Sequence, residues 1–273
     1  MSRFLLAVLV STLACGTAWS QGDRGAEILA RYHAAAAAKD HAALVKLWRE
    51  NPEATLGTID SDLEGSLALF EKAPEAPDTP AIEAMKARAI QGAIAADEAF
   101  ATQIFSDYAS SFAGFDAAER KDFRAGQKAV GEAGAALRKK DHQTALEAAD
   151  RAVALTWRLG DWWGYAMGLT ARGRALEGLG KDEDALAAQA LARRINGDLR
   201  LAGPALANGV ACARLATKLG HLRRADAFRR ASAEAALAQK NDKALLELAE
   251  IEKRLAPSRP ASAESKPTGE KSK

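Results

Sequence analysis

The sequence predicts an all-α protein built from stacked antiparallel helical hairpins. Composition is the first reason, because Ala, Leu, Glu, Lys and Arg dominate the 273 residues while β-branched residues are scarce. Such side chains lose little conformational entropy in a helix. A turn-and-helix segment that recurs three times is the second reason. The third is that no run alternates β-branched or aromatic residues with polar ones, as a half-buried strand does.

The recurring segment spans residues 140–146, 180–186 and 220–226. An alanine stands at the same place in each copy, at Ala145, Ala185 and Ala225, so the repeat length is 40 residues. Helical sequence precedes and follows each copy. Repetition at a fixed period is the pattern of proteins in which each hairpin buries its apolar face against the next.

Each copy also contains residues suited to a tight turn. Gly180 and Gly220 can adopt the left-handed conformation that ends a helix. Asp141 and Asp182 are predicted to accept hydrogen bonds from the free amides that open the next helix. The alanine that follows must be small, because the two helices approach closely there and a larger side chain would push them apart.

These residues resemble the tetratricopeptide repeat family. Small residues fall where that family has them, at Ala133, Gly173 and Ala213 in the first helix of each hairpin and at the three alanines in the second. The resemblance covers roughly residues 120–240 and implies a right-handed solenoid. The period of 40 exceeds the usual length of about 34 residues and resembles the longer repeats of kinesin light chains. Most consensus aromatics and the closing proline are replaced.

Residues 116–255 are therefore predicted to form the repeats, and residues 21–115 a helical region made either of degenerate repeats or of a separate subdomain. Helices are expected over 27–37, 41–50, 54–71 and 81–112, with a break near Thr102. A loop is expected over 72–80, which holds three prolines, and Asp116 is a candidate helix cap. Residues 256–273 lack large apolar side chains and are expected to be a disordered tail.

Residues 1–20 are predicted to be a signal peptide. An apolar run from Phe4 to Ala14 is followed by Ala18-Trp19-Ser20, which suits cleavage before Gln21. The run is too short to span a bilayer. An alternative is a lipoprotein in which Cys15 is lipidated, since residues 12–16 resemble a lipobox. Both interpretations predict export, to the periplasm, the outside of the cell or a membrane anchor.

No catalytic, cofactor-binding or metal-binding motif is present, and the chain is predicted not to be an enzyme. The four histidines, His33, His41, His142 and His221, lack the spacing of a zinc site on one helix. Cys212 lies among small apolar residues, as a buried structural thiol does. An enzyme without a recognisable motif remains an alternative.

The charge is distributed unevenly, and its pattern indicates a binding partner. Residues 21–115 carry 8 Lys and Arg against 15 Asp and Glu, a net charge of −7, whereas residues 116–256 carry 25 against 19, a net charge of +6. The repeats are therefore the better candidate for binding an acidic protein or peptide, and nucleic acid is not expected.

In the tetratricopeptide register, groove-facing positions carry four basic residues: Arg138, Arg174, Arg214 and Lys218. The resemblance implies that they hold an acidic peptide segment or a free C-terminus. Adjacent Trp162 and Trp163 cannot both face inward on one helix, so one of them is expected to be partly exposed and to add contact area. The alternative is a structural component of an envelope assembly with no ligand in the groove. The oligomeric state is left open.

Overall fold

A computed structural model describes residues 18–73 and 79–256. In these residues the chain forms twelve α-helices and no strand, and 87% of them are helical. Most helices pack against the helices next to them along the chain, in a solenoid-like arrangement. The all-α prediction is confirmed.

Five helices and one short 3-10 turn make up the N-terminal bundle, residues 18–113. Their bounds are α1 Ala18–Ala37, α2 His41–Glu50, the 3-10 turn Pro52–Ala54, α3 Thr55–Lys72, α4 Pro80–Phe100 and α5 Ile104–Ala113. Helix α4 is central and contacts the other four. Close approach to α4 is possible because Gly92 has no side chain: an added Cβ would lie 2.8 Å from the Tyr32 ring, and the Trp48 indole donates to the Gly92 carbonyl at 2.9 Å.

The break predicted near Thr102 lies between α4 and α5. Helix α4 ends at Phe100, and Ala101 takes a left-handed conformation with φ of 53°. The Asp97 carboxylate then accepts hydrogen bonds from the amides of Phe105 and Ser106, at 3.1 and 2.9 Å. A side chain of the first helix thus satisfies the free amides that open the second.

Seven helices form the repeat region, residues 116–255. Their bounds are α6 Ala117–Arg138, α7 His142–Arg158, α8 Trp162–Gly178, α9 Asp182–Asp198, α10 Ala202–Lys218, α11 Leu222–Ala238 and α12 Asp242–Leu255. The pairs α6/α7, α8/α9 and α10/α11 are the predicted hairpins, and α12 follows as a single helix. The five helices from α7 to α11 each have 17 residues.

The backbone repeats with half the period of the sequence. A left-handed residue stands at every twentieth position, namely Lys140, Gly160, Gly180, Arg200, Gly220 and Lys240. At each of these turns the same two hydrogen bonds close the helix, as in Asp141 N to Ala136 O and Lys140 N to Leu137 O, the Schellman pattern. Turns within a hairpin and turns between hairpins therefore have one geometry.

The repeated alanines lie at the helix-to-helix contacts, as predicted. Ala145, Ala185 and Ala225 are each 0% exposed. In the facing helices Ala133 and Ala213 are also 0% exposed. Close packing at small side chains in sequential helix pairs is therefore a property of this fold.

Two of the three predicted helix caps are confirmed, and the third is wrong. Asp116 forms a capping box with Glu119, and Asp141 accepts from the Thr144 amide at 3.1 Å. Asp182 is instead the first residue of α9, and the cap position is Lys181, whose side chain makes no capping hydrogen bond in the described part of the chain. The Asp182 carboxylate turns to Lys218 instead, at 2.7 Å.

The N-terminal bundle packs against one edge of the repeats, where the second helix of a hairpin connects to the next hairpin. Ser111 of α5 lies so close to Gly160 that an added Cβ would be 2.6 Å from its hydroxyl. Arg124 of α6 binds Glu64 and Glu71 of α3, at 2.8 and 2.6 Å. These contacts hold the bundle to the turns and to the first repeat helix.

Several predictions concern residues outside the described ranges. They are the apolar run and Cys15 within residues 1–17, most of the proline-containing loop, and the tail from residue 257 onward. Residues 18–20, at the predicted cleavage site, belong to α1. Of the helices in the described part, none combines the length and apolar character needed to cross a bilayer.

Candidate partner-binding site

The first helices of the hairpins, α6, α8 and α10, lie side by side with α12 and form one layer, called here the A-helix layer. Helix α6 contacts α8, and α10 contacts α12. Side chains join α8 to α10, because the Asn208 amide donates to the Thr170 hydroxyl at 3.1 Å. All four predicted basic residues belong to this layer.

A buried amide network fixes how α8, α9 and α10 meet. The Asn208 amide nitrogen also donates to Gln189 Oε1 at 2.6 Å, and its oxygen accepts from Asn196 at 2.8 Å. These three amide side chains are at most 3% exposed. Gln189 lies over Gly173, where an added Cβ would be 2.6 Å from its Nε2 atom. Buried polar groups that are all bonded to one another define the relative position of helices more narrowly than apolar contacts do.

Arg214 is the central basic residue of the layer and is already paired. Its guanidinium binds Glu177 of α8 and lies 3.3 Å from Glu247 of α12. The side chain is half-buried. Arg214 thus connects three helices of the A-helix layer, and its charge is compensated by two carboxylates.

Lys218 is also paired, although its side chain is more exposed. Its ammonium nitrogen lies 2.7 Å from the nearer oxygen of Asp182, the first residue of α9. An acidic ligand would have to replace this carboxylate or share the ammonium group with it.

Arg138 and Arg174 differ from the other two residues. Both side chains are exposed, and within residues 18–73 and 79–256 neither has a carboxylate in ion-pair range. Arg138 is in the last turn of α6, and Arg174 is in the second half of α8. These are the two predicted cations whose charge is directed to solvent and not to a neighbouring helix.

Sequence reasoning missed Met167, whose side chain is 46% exposed and lies seven residues before Arg174 on α8. Seven residues are about two helical turns, so both lie on the same side of the helix. The seven-residue spacing could have identified Met167, because it places this side chain on the face of α8 that carries Arg174.

Sequence reasoning also missed Glu177 and Glu247, the acidic partners of Arg214. No sequence signal pairs these residues, because they lie on different helices.

In the aromatic cluster near the α7–α8 turn, the most exposed tryptophan is not one of the two that were predicted to contact a partner. Trp162 and Trp163 are both half-buried and pack beside the main core. The most exposed member is Trp157, at 59%. Its ring lies 5.6 Å from Trp162 and 5.3 Å from Tyr165, measured between centroids. Trp157 therefore offers more free surface to a partner than either predicted tryptophan.

The titratable groups considered for catalysis are dispersed. His41 lies 2.7 Å from Glu98, His221 lies 3.3 Å from Glu183, and His142 packs over Gly178 in a different hairpin. Burial raises the pKa of the Cys212 thiol to about 12. Across the described residues no group of three or more His, Cys, Asp or Glu side chains is placed to hold a metal ion.

Comparison with known proteins yields no relative. No protein-family model, no curated protein and no solved structure matches the chain significantly.

Proposed function

We propose that this protein is an exported, non-catalytic interaction scaffold of the tetratricopeptide type that binds an acidic peptide segment on its A-helix layer. The observation that carries the proposal is the uncompensated charge of Arg138 and Arg174 on that layer. A guanidinium without an ion-pair partner can bind a carboxylate with charge-assisted hydrogen bonds and loses no existing pair in doing so.

The other two predicted residues have a different role in this proposal. Arg214 and Lys218 already hold carboxylates of α8, α12 and α9. These ion pairs hold the helices in position. Arg214 and Lys218 attract an acidic ligand only through the part of their charge that the carboxylates do not cancel. The stacked layer itself supports assignment to the tetratricopeptide class, since adjacent first helices line one face of such solenoids.

Binding can be tested with a cross-linking pull-down from envelope extract, using the mature chain and the double variant Arg138→Glu/Arg174→Glu. We expect the variant to lose a discrete acidic partner captured by the wild type. Arg223→Glu is the matched control, because Arg223 is exposed on α11, outside the A-helix layer, and has no ion pair in the described structure. Equal capture by both charge-reversed proteins would refute the assignment of the site.

Export rests on residues 1–20. Mass spectrometry of the mature N-terminus from a native host distinguishes the two forms: a chain beginning at Gln21 indicates the soluble form, and a diacylated Cys15 indicates a lipoprotein. An N-terminus that still begins at Met1 would contradict export by either route.

A structural role in an envelope assembly is the second candidate, and the exposed Trp157 favours it. Exposed aromatic side chains of this size are common in protein interfaces. If the wild-type chain captures only further copies of itself, and Trp157→Ser abolishes this capture while Arg138→Glu does not, the structural role replaces the adaptor.

A further inference from the structure

An open cleft lies where the N-terminal bundle meets the turn between α9 and α10. Its volume is about 490 Å³, and most of it is open to solvent. The residues that line it are Arg49, Pro52, Ala99, Phe100, Ala101 and Arg200. Both charged residues in this lining are arginines.

Arg200 contacts Phe100 beside the cleft. Its backbone is left-handed, with φ of 61°, at a turn position where three equivalent turns have glycine. One guanidinium nitrogen donates to the Phe100 carbonyl at 3.1 Å, and the guanidinium carbon lies 4.6 Å from the centre of the Phe100 ring. The Nε atom is buried and has no hydrogen-bond partner in the described structure. Buried donors without a partner are rare in folded proteins, and an unassigned water or ion is one explanation for them.

Arg49 is the second cation of the cleft. It is exposed in the last turn of α2, and among the described residues no carboxylate lies within ion-pair distance of it. Glu53 and Arg24 line a neighbouring depression, which shares Pro52 with the cleft. Among the described residues, the lining of the cleft therefore has two positive groups and no acidic side chain.

Four of the five acidic residues within two positions of the lining residues have partners, among them Glu98, which lies 2.7 Å from His41, and the fifth, Glu53, lines the neighbouring depression. Glu50 accepts from Arg31 at 2.7 Å, and Asp198 accepts from Arg194 at 2.9 Å. Asp97 accepts two amides at the start of α5. Since these negative charges are satisfied elsewhere, they do not neutralise Arg49 and Arg200.

We propose that this cleft binds a phosphate group between the guanidinium groups of Arg49 and Arg200. Two planar guanidiniums, one from helix α2 and one from the turn between α9 and α10, match the several oxygens and the double charge of a phosphate better than the two oxygens of a carboxylate. The cleft has room for an organic substituent on the phosphate. The site is separate from the A-helix layer, so it does not depend on the proposed partner binding.

The test is isothermal titration of the full mature chain with inorganic phosphate and, separately, with glycerol 3-phosphate, with sodium chloride at equal ionic strength as the blank. We expect saturable binding with a Kd of about 1 mM or tighter. Arg49→Gln should weaken binding about tenfold or more, as loss of a charge-assisted contact does. Arg49→Lys should retain part of the affinity, and Arg223→Gln should retain all of it.

The two ligands identify the source of the phosphate. Tighter binding of glycerol 3-phosphate assigns an organic phosphate, and equal binding assigns the free ion. Acetate binding as tightly as phosphate, no saturable heat with either phosphate, or an unchanged affinity in Arg49→Gln would each overturn the proposal. Arg200→Lys is a second variant, and its circular dichroism spectrum shows whether it folds like the wild type. It should also bind phosphate more weakly, because an ammonium group lacks the paired planar donors of a guanidinium.

Discussion

At the scale of single residues, the junction between α3, α5 and α8 holds an unusual set of acidic groups. The Tyr108 hydroxyl donates to Asp60 at 2.5 Å, and the Asp161 side chain, which caps α8, is 4% exposed. Burial, with the negative charges of Glu64 and Asp161, raises the pKa of Asp60 to about 7. Burial and Glu64 raise the pKa of Asp161 to about 6. The hydrogen bond from Tyr108 and, less strongly, the charge of Arg124 lower the Asp60 pKa and oppose this effect.

This set of groups predicts that stability falls as pH rises. A carboxyl whose pKa is higher in the folded than in the unfolded chain binds its proton more tightly when folded. Its stabilising contribution is complete below about pH 4 and is lost as pH passes through about 6 to 7. Urea unfolding between about pH 5 and pH 8 should show a loss of about 3–4 kcal/mol, which is the sum of the two groups' contributions over this interval.

Asp60→Asn is the variant that isolates this effect, because an amide oxygen still accepts from Tyr108. It should be more stable than the wild type near pH 8 and should show a flatter pH dependence. A wild type whose unfolding free energy rises over the same interval would contradict the assignment.

The buried alanines lead to a second prediction at this scale. Ala185→Leu should lower the unfolding free energy by about 1–3 kcal/mol, because the added side chain has no space between α8 and α9. Ala187 is exposed on the same helix and serves as the control, since Ala187→Leu adds the same volume without a clash. Equal stability of the two variants, measured by urea denaturation, would show that the close contact at position 185 is not required.

At the scale of the elements, the turns determine where each helix ends. Gly180 and Lys140 occupy equivalent left-handed positions, with φ of 74° and 60°. Apart from the two chain neighbours of Gly180, no atom of the described residues lies within 4 Å of a Cβ added there. Substitution there consequently tests backbone conformation alone, without a packing change.

We expect Gly180→Ala to destabilise the protein by about 1 kcal/mol, because an L-residue with a side chain is strained in this conformation. Lys140→Gly should act in the opposite direction, by about the same amount, since it removes that strain. Thermal denaturation of the two variants checks both signs. If both substitutions change the stability in the same direction, strain in the left-handed turn does not explain their effects.

At the scale of the whole molecule, each repeat helix contacts mainly its neighbours, and the N-terminal bundle contacts the turns of the middle hairpins. Stability in such a stack is close to a sum of local terms. Helices α11 and α12 lie beyond the turns that the bundle touches. They are therefore the part of the repeat region that is most able to open separately.

This arrangement predicts a local response to a defect at the end of the stack. In Ala225→Leu, amide hydrogen exchange should accelerate in α10, α11 and α12 while α6 and α7 keep their protection. Mass-spectrometric exchange on peptides from each helix measures the difference. A uniform acceleration over all helices would show that the chain unfolds as one cooperative unit.

The sequence by itself determined the helical class, the positions of the hairpins and the small residues at their contacts. These features are local: helix propensity, turn residues at Gly180 and Gly220, and a repeated alanine each act within a few residues. The twenty-residue period of the turns was not visible, because Lys140, Arg200 and Lys240 adopt a conformation for which glycine is the usual sequence signal.

Only the tertiary structure decided which charges are free. Arg214 and Lys218 look equivalent to Arg174 and Arg138 in the sequence, yet the first pair binds carboxylates on other helices and the second pair does not. The cleft between Arg49 and Arg200 likewise joins residues that are about 150 positions apart. The physical reason is the same in both cases: an ion pair depends on distances between helices, and those are set by packing and not by spacing along the chain.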